Sequence, residues 1–327
     1  MDIPEQRTRG ARGGTIVCMA LNCGVDKVYD CPGFGLRGIF QPRRAVTCTG
    51  GKAVNQARMA HTLGARVLVC GFAGGLVGDQ TRRELSVEGI AHSFEPTQDE
   101  SRLAITVLDA AAGTHTEVNE WGPHVSPQEL GRLLGRYESL LPGASLVSFA
   151  GSAPIGVPRD IYGTMVAMAR SAGVATMLDA RGEWLRHGVA AGPTIVKPNQ
   201  AEMGELLGRP IDGIDAAARA ALELCDRGID RVVVTLGAEG ALCVEARERR
   251  VVRAWLPPIP VLSAVGSGDA FAGALAAGFA CGEALAESVR RGIACGAASA
   301  QRLGPAFVSL DEVDALAEGA TMERVIL

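Results

Sequence analysis

From residue 127 onward, short apolar runs rich in Val, Ile and Leu alternate with stretches of helical character, and this alternation narrows the fold more than any other feature. Residues 146–152 precede an expected helix near 158–171. Residues 174–179 precede one near 182–190, residues 194–197 precede one near 200–207, and residues 231–237 run into Ala238-Glu239-Gly240. Continuous apolar runs suit strands buried on both faces, and helices between them suit a parallel sheet covered on either side. Ligands of such a sheet bind outside the carboxyl ends of its strands. Each run here ends in polar residues or glycine, so the site is expected there.

The first part of the chain carries the same signal with an interruption. Residues 15–21 read as a strand ending at Asn22, with Asp26 beyond it, either a ligand-facing carboxylate or a simple turn residue. Arg66 to Gly75 reads as a strand and glycine turn, followed by a helix from Gln80 to Glu88. Residues 102–109 and 114–119, joined by Ala110-Ala111-Ala112-Gly113, read as an antiparallel hairpin inserted into the pattern. The stretch Gly33-Phe34-Gly35-Leu36-Arg37-Gly38 matches G-x-G-x-x-G letter for letter. Pro32 before it and Pro42 after it deny the strand and helix that a dinucleotide loop requires.

Two glycine-rich helix starts carry the chemistry. In Ala264-Val265-Gly266-Ser267-Gly268-Asp269, glycines open an apolar helix in which Phe271, Leu275 and Phe279 recur every four residues. The first turn of a helix leaves amides without intrahelical partners and carries about half a positive charge, so an anion can rest on it. Asp269 opposes such an anion unless it has a task of its own, namely taking a proton from an attacking hydroxyl. The alternative is a cap on a core helix whose glycines serve close packing. In Gly50-Gly51-Lys52-Ala53-Val54-Asn55, a second helix opens on two glycines and closes at Gly64. Lys52 and Asn55 are three apart and share a face, suiting a polyhydroxylated, phosphate-bearing ligand or, alternatively, lying on a solvated surface. In Lys197-Pro198-Asn199-Gln200-Ala201-Glu202, Asn199 and Glu202 suit either a hydrated Mg2+ or a helix capping box.

Composition excludes several classes. The 36 acidic and 32 basic residues, net charge −4, include no basic block, so no nucleic-acid partner is expected. Nine cysteines, never spaced C-x-x-C, fit reduced cytoplasmic thiols rather than a disulfide framework or zinc site. Residues 1–13 lack the apolar core of a secretory signal and read as a disordered tail, and no run is long enough to span a membrane.

Taken together, these motifs resemble the ribokinase-like carbohydrate kinases, specifically the phosphofructokinase B family, over nearly the whole chain. Gly50-Gly51-Lys52 with Asn55 and the later Gly266-Ser267-Gly268-Asp269 are that family's two signatures in its order. The resemblance implies a three-layer α/β/α domain over 14–327 with a mostly parallel sheet. It also implies a small β-sheet lid from segments about 27–48 and 92–120, through which members often dimerise. It implies ATP and Mg2+ as cofactors and a sugar hydroxyl as acceptor. Asp269 would then be the general base, with Gly266, Ser267 and Gly268 as the anion hole. Asp26, Gly50, Gly51, Lys52 and Asn55 would hold the sugar, and Arg102 its existing phosphate. Lys197, Asn199, Thr235, Gly237, Ala238, Glu239, Gly240 and Gly268 would serve the nucleotide, and Glu202 with Asn199 would act on the metal through water.

Within the family, the likeness is to the 1-phosphofructokinase and tagatose-6-phosphate kinase branch, through Leu21-Asn22 with Asp26, residues 113–123, Gly151-Ser152-Ala153-Pro154 and Lys197-Pro198-Asn199. Gly-Ser-Ala-Pro, where ribokinase proper would show a Glu, counts against free ribose. The acceptor expected is a hexose monophosphate such as fructose 1-phosphate, tagatose 6-phosphate or fructose 6-phosphate. A kinase for an unphosphorylated sugar or nucleoside, and a non-catalytic sugar-phosphate sensor, are the alternatives. Ala53 and Ser267 depart from the family pattern, and Arg43 and Arg44 lie where they would meet a phosphate within or across a dimer.

Overall fold

The computed structural model describes residues 12–109 and 112–327. The chain begins with β1 (Arg12–Ala20), β2 (Gly24–Asp30) and β3 (Arg44–Gly50), then α1 (Lys52–Thr62), β4 (Ala65–Ala73), α2 (Gly75–Val87) and β5 (Ala91–Pro96). The hairpin β6 (Arg102–Asp109) and β7 (Thr114–Asn119) follows, and then α3 (Pro127–Leu140), β8 (Ala144–Ala150), α4 (Ile161–Ser171), β9 (Ala175–Asp179) and α5 (Gly182–Ala190). Next come β10 (Ile195–Val196), α6 (Gln200–Leu207), α7 (Gly213–Asp226), β11 (Arg231–Thr235), β12 (Ala241–Glu245) and β13 (Val251–Trp255). The chain closes with α8 (Ser267–Ala280), α9 (Leu285–Ala300), α10 (Leu310–Glu318) and β14 (Thr321–Val325).

Ten strands form one sheet in the order β14-β13-β12-β11-β10-β9-β8-β1-β4-β5. Pairing is parallel from β5 to β11 and antiparallel from β11 to β14. Side chains alternate across it as the strand period of two demands. Val17 and Met19 of β1 enter a core with Tyr137, Tyr162 and Leu224 on one face, while Ile16, Cys18 and Ala20 enter another with Val54, Phe271 and Leu275. Helices therefore cover both faces, giving the three-layer α/β/α arrangement. A separate small sheet, β3-β2-β6-β7, stands beside it, with β6 and β7 antiparallel.

Several boundaries differ from expectation. Residues 91–96 belong to the large sheet, paired from Leu68↔Ala91 to Ala73↔Pro96 with Phe94 in its core, so the second segment of the small sheet starts at Arg102. The small sheet also begins earlier and ends later in its first segment, at Gly24 and Gly50. Arg12 and Gly13 open β1, and the remainder of the proposed tail, like Ala110-Ala111 of the hairpin turn, lies outside the described residues. Helix α2 starts at Gly75 rather than Gln80, because the Glu100 carboxylate accepts from the Val77 amide at 2.6 Å and caps an end that local sequence does not. The G-x-G-x-x-G stretch is an exposed loop between β2 and β3. Among the described residues no two cysteines are joined by a disulfide. Among the described residues no helix is long and apolar enough to cross a membrane.

Candidate active site

Strand β1 lies between β4 and β8, and the chain leaves it to opposite sides, so a crevice opens beyond its carboxyl end. A cleft of about 870 Å3 fills that crevice. It is lined by residues at or just beyond the carboxyl ends of β1 (Asn22, Asp26), β8 (Gly151, Ser152), β9 (Asp179), β10 (Lys197, Asn199) and β11 (Thr235), and by the starts of α1 and α8.

Helix α8 begins at Gly266, whose φ of +79° is the left-handed conformation that glycine adopts without strain. A Cβ there would come within 2.4 Å of the Pro305 Cβ, so glycine is required sterically as well. No side chain caps this helix, and the first-turn amides have no carbonyl four residues earlier within it. Gly268 has open space where a Cβ would stand. The Ser267 hydroxyl donates to Ala264 O at 2.6 Å. Asp269 is only 8% exposed, yet it lines the cleft with Lys52 and Asn55. The Asn55 Nδ2 donates to Asp269 Oδ2 at 2.9 Å. Burial pushes the Asp269 carboxyl up to about 7, against the pull of Lys52 and with the push of Asp179. A carboxyl poised near neutrality is matched to taking a proton at physiological pH.

Helix α1 starts after Gly51, at φ +95°, whose amide donates to Asp26 Oδ2 at 3.4 Å. Gly50 serves the same carboxylate by omission, since a Cβ there would lie 2.0 Å from Asp26 Oδ2. Burial raises the Asp26 carboxyl and the Arg102 charge opposes the rise. Arg102 Nε donates to Asn22 O at 2.8 Å, and Asn22 Nδ2 reaches Ser152 Oγ at 3.4 Å.

Asp179 is a cleft residue to which the sequence drew no attention. It is 1% exposed, and it sits 3.5 Å from Lys52 Nζ and 3.2 Å from Lys197 Nζ. Its second oxygen accepts from Gln56 Nε2 at 2.8 Å, and Gln56 in turn accepts from Ser148 Oγ at 2.6 Å. Burial alone would raise Asp179, but Lys197 and then Lys52 hold it below the usual carboxylate range, and Asp179 foremost raises Lys52. Its position at the end of β9 was the available signal. Arg159, Arg181 and Trp184 also line the cleft without having been singled out.

Asn199 and Glu202 form a reciprocal capping box, with Asn199 Oδ1 accepting at 2.8 Å and Glu202 Oε2 at 2.9 Å. Both line the cleft, and Glu202 keeps Oε1 outside the cap. One carboxylate oxygen and a nearby amide fit a hydrated Mg2+, which retains most of its waters. Among the described residues there is no cluster of three or more metal-ligating side chains. Thr235 and Lys197 line the cleft, whereas Gly50, Ser267, Gly237, Ala238, Glu239 and Gly240 are outside its lining. Gly237–Glu239 form a single 3-10 turn whose Glu239 carbonyl accepts from Arg253 Nε at 3.1 Å.

A mostly parallel three-layer domain with a small accessory sheet, whose cleft joins a glycine-opened helix and its aspartate to a lysine and an asparagine, defines a ribokinase-like carbohydrate kinase. The chain belongs to the pfkB family carbohydrate kinases, whose family model matches residues 19–312. Its structure is similar to that of phosphofructokinase-2 from Escherichia coli in complex with fructose-6-phosphate (28% identity, TM-score 0.84, covering 94% of this chain and 98% of that one). It is also similar to a Thermotoga maritima protein described as a possible 1-phosphofructokinase (24% identity, TM-score 0.87, covering 95% and 100%).

Proposed function

We propose that this kinase transfers the γ-phosphoryl group of ATP to a hydroxyl of a hexose monophosphate of the fructose 1-phosphate, tagatose 6-phosphate or fructose 6-phosphate class. The observation that carries the reading is the Asp269 carboxyl, raised toward neutrality at the start of α8 and facing one cleft with Lys52, Asn55 and Arg102. Asp26, Gly51 and Asn55 hold the sugar, with Gly50 leaving room for Asp26. Arg102 binds the phosphate already present through a charge-assisted contact. Asp269 accepts the acceptor hydroxyl proton as its oxygen bonds to phosphorus and the bond from phosphorus to ADP breaks. The Gly266–Gly268 amides and Lys52 face the charge that the phosphoryl oxygens gather.

Lys197, Asn199 and Thr235 line the nucleotide side, with Gly237, Ala238, Glu239 and Gly240 behind them, and Glu202 with Asn199 would hold Mg2+ through water. Bound there, Mg2+ supplies neutralisation of phosphate charge. The presence of fructose-6-phosphate in the Escherichia coli relative supports a phosphorylated acceptor. Exposed Val118 and Trp121 at the small sheet support a homodimer through that sheet, which would act as a lid. The test is ADP release over a panel of fructose 1-phosphate, fructose 6-phosphate, tagatose 6-phosphate, ribose and adenosine. Turnover confined to the phosphosugars is expected, and turnover only with ribose or adenosine would overturn the acceptor class.

A further inference from the structure

Arg58 heads the largest side chains that are fully buried, at 1% exposure, and no step described so far uses it. A guanidinium stays protonated in proteins and offers only donors, so burying one demands acceptors around it. Glu88 provides two, to Nε at 2.7 Å and to Nη2 at 2.9 Å. The Thr49 carbonyl accepts from Nη2 at 2.9 Å, and the Phe307 ring centroid lies 4.5 Å from Cζ. These contacts hold the arginine from three sides. The remaining one enters the active site, because Nη1 donates at 3.1 Å to Asn55 Oδ1, the other end of the amide that donates to Asp269.

The two residues are three apart on α1 and share a face, so the helix itself brings them together. An isolated amide facing a carboxylate can be turned over. Turned over here, Asn55 would set its NH2 against guanidinium N–H groups and its oxygen against the Asp269 carboxylate, losing both hydrogen bonds inside a buried site.

We propose that Arg58 is a positioning residue for phosphoryl transfer: by donating to Asn55 Oδ1 it holds the amide with Nδ2 toward Asp269. One oxygen of the base is thereby engaged and the carboxylate is presented to the acceptor in a single orientation. This rests on the reading of Asp269 as the base. The other charged groups acting on Asp269 are Lys52 at the start of α1, Lys197 after β10 and Asp179 at the end of β9. None of these is removed by changing Arg58. Withdrawing the Nδ2 donation disfavours the ionised carboxylate, so a wandering amide raises the pH at which the base becomes active.

The experiment is Arg58→Lys, whose three N–H donors sit on one nitrogen and cannot span the positions at which Nε, Nη1 and Nη2 meet Glu88, Asn55 and Thr49. Folding is followed by circular dichroism and melting, and kcat is profiled against pH with saturating ATP and phosphosugar. We expect kcat to fall about tenfold, KM for ATP to hold, and the acid limb of kcat to move up by about half a pH unit. In an Asn55→Ala background, adding Arg58→Lys leaves the limb where Asn55→Ala put it. Glu88→Ala, which frees the arginine without touching the amide, gives a smaller shift in the same direction, and it decides the question alone if Arg58→Lys does not fold. A folded Arg58→Lys with an unmoved limb, a shift that persists without Asn55, or an unmoved limb in Glu88→Ala overturns the proposal. If Asp269→Asn is inactive while the limb stays put, only the role of Arg58 fails; if Asp269→Asn keeps turning over, the assignment of the base fails with it.

Discussion

Replacing Asp269 with Asn should stabilise the protein in a pH-dependent manner as well as disable it. Burial raises this carboxyl from 3.8 to about 7 in the folded chain, while the unfolded chain returns it to about 3.9. Between those values the folded state holds a proton that the unfolded state has released, so stability falls as pH rises through the window and the loss is complete above about 7. Three units at about 1.36 kcal/mol each amount to roughly 4 kcal/mol, of which about 3 kcal/mol develops between pH 5 and pH 8. Asn is nearly isosteric, carries no charge and keeps an oxygen to accept from Asn55 Nδ2, so the titration disappears with little else disturbed. Urea unfolding of both proteins at pH 5, 6, 7 and 8 would measure this. The difference should widen in favour of Asp269→Asn by roughly 3 kcal/mol across the series. A difference that is constant with pH, or that favours the wild type more as pH rises, would refute the claim that the fold stores a destabilised base.

Lys52→Met removes a cation from the cleft and leaves Asp179 with Lys197 as its lysine partner; kcat/KM should drop about 100-fold or more in a coupled ADP assay, with circular dichroism unchanged. Arg102→Ala should raise KM for phosphosugars about tenfold or more while kcat stays within a few-fold, since the proposed charge-assisted contact to a phosphate remote from the reacting hydroxyl would be lost. Gly266→Ala forces an L-residue to φ +79° and a Cβ against Pro305, so melting should show a loss of at least about 1–2 kcal/mol together with lower kcat. Glu202→Gln preserves the capping geometry but removes the charge, so the melting temperature should hold while the Mg2+ concentration for half-maximal rate rises.

Local sequence carried most of the parallel sheet and both glycine-opened helices, because apolar runs and glycine starts are properties of contiguous residues. Helices at 182–190 and 200–207 and the hairpin of 102–109 with 114–119 stand where their patterns put them. What escaped depends on groups distant in sequence. The start of α2 is set by Glu100, 23 residues past the amide it caps. The fate of Ala91–Pro96 is set by the free edge of β4 and not by its own mixed composition. Asp269, Asn55, Asp26 and Arg102 each lie in or beside a recognisable stretch, and the fold lines one cleft with all four. Asp179, at the end of an ordinary buried strand, shows its importance only when Lys52, 127 positions away, and Lys197 converge on it. Arg58 likewise carries no local signal of its place, and it is among the most deeply buried side chains in the fold. For Asn199 and Glu202 the spacing admitted a cap or a metal site, and the structure holds the cap with Glu202 Oε1 left over.

In the proposed mechanism a single carboxylate, Asp269, acts on the acceptor hydroxyl. The most direct measurement is steady-state ADP formation by wild type and Asp269→Asn at pH 8, with ATP, Mg2+ and the best phosphosugar of the panel, alongside nucleotide binding by calorimetry. With Asp269 as the base, kcat should fall about 10^3-fold with nucleotide affinity nearly unchanged. Near wild-type turnover in the variant would contradict it.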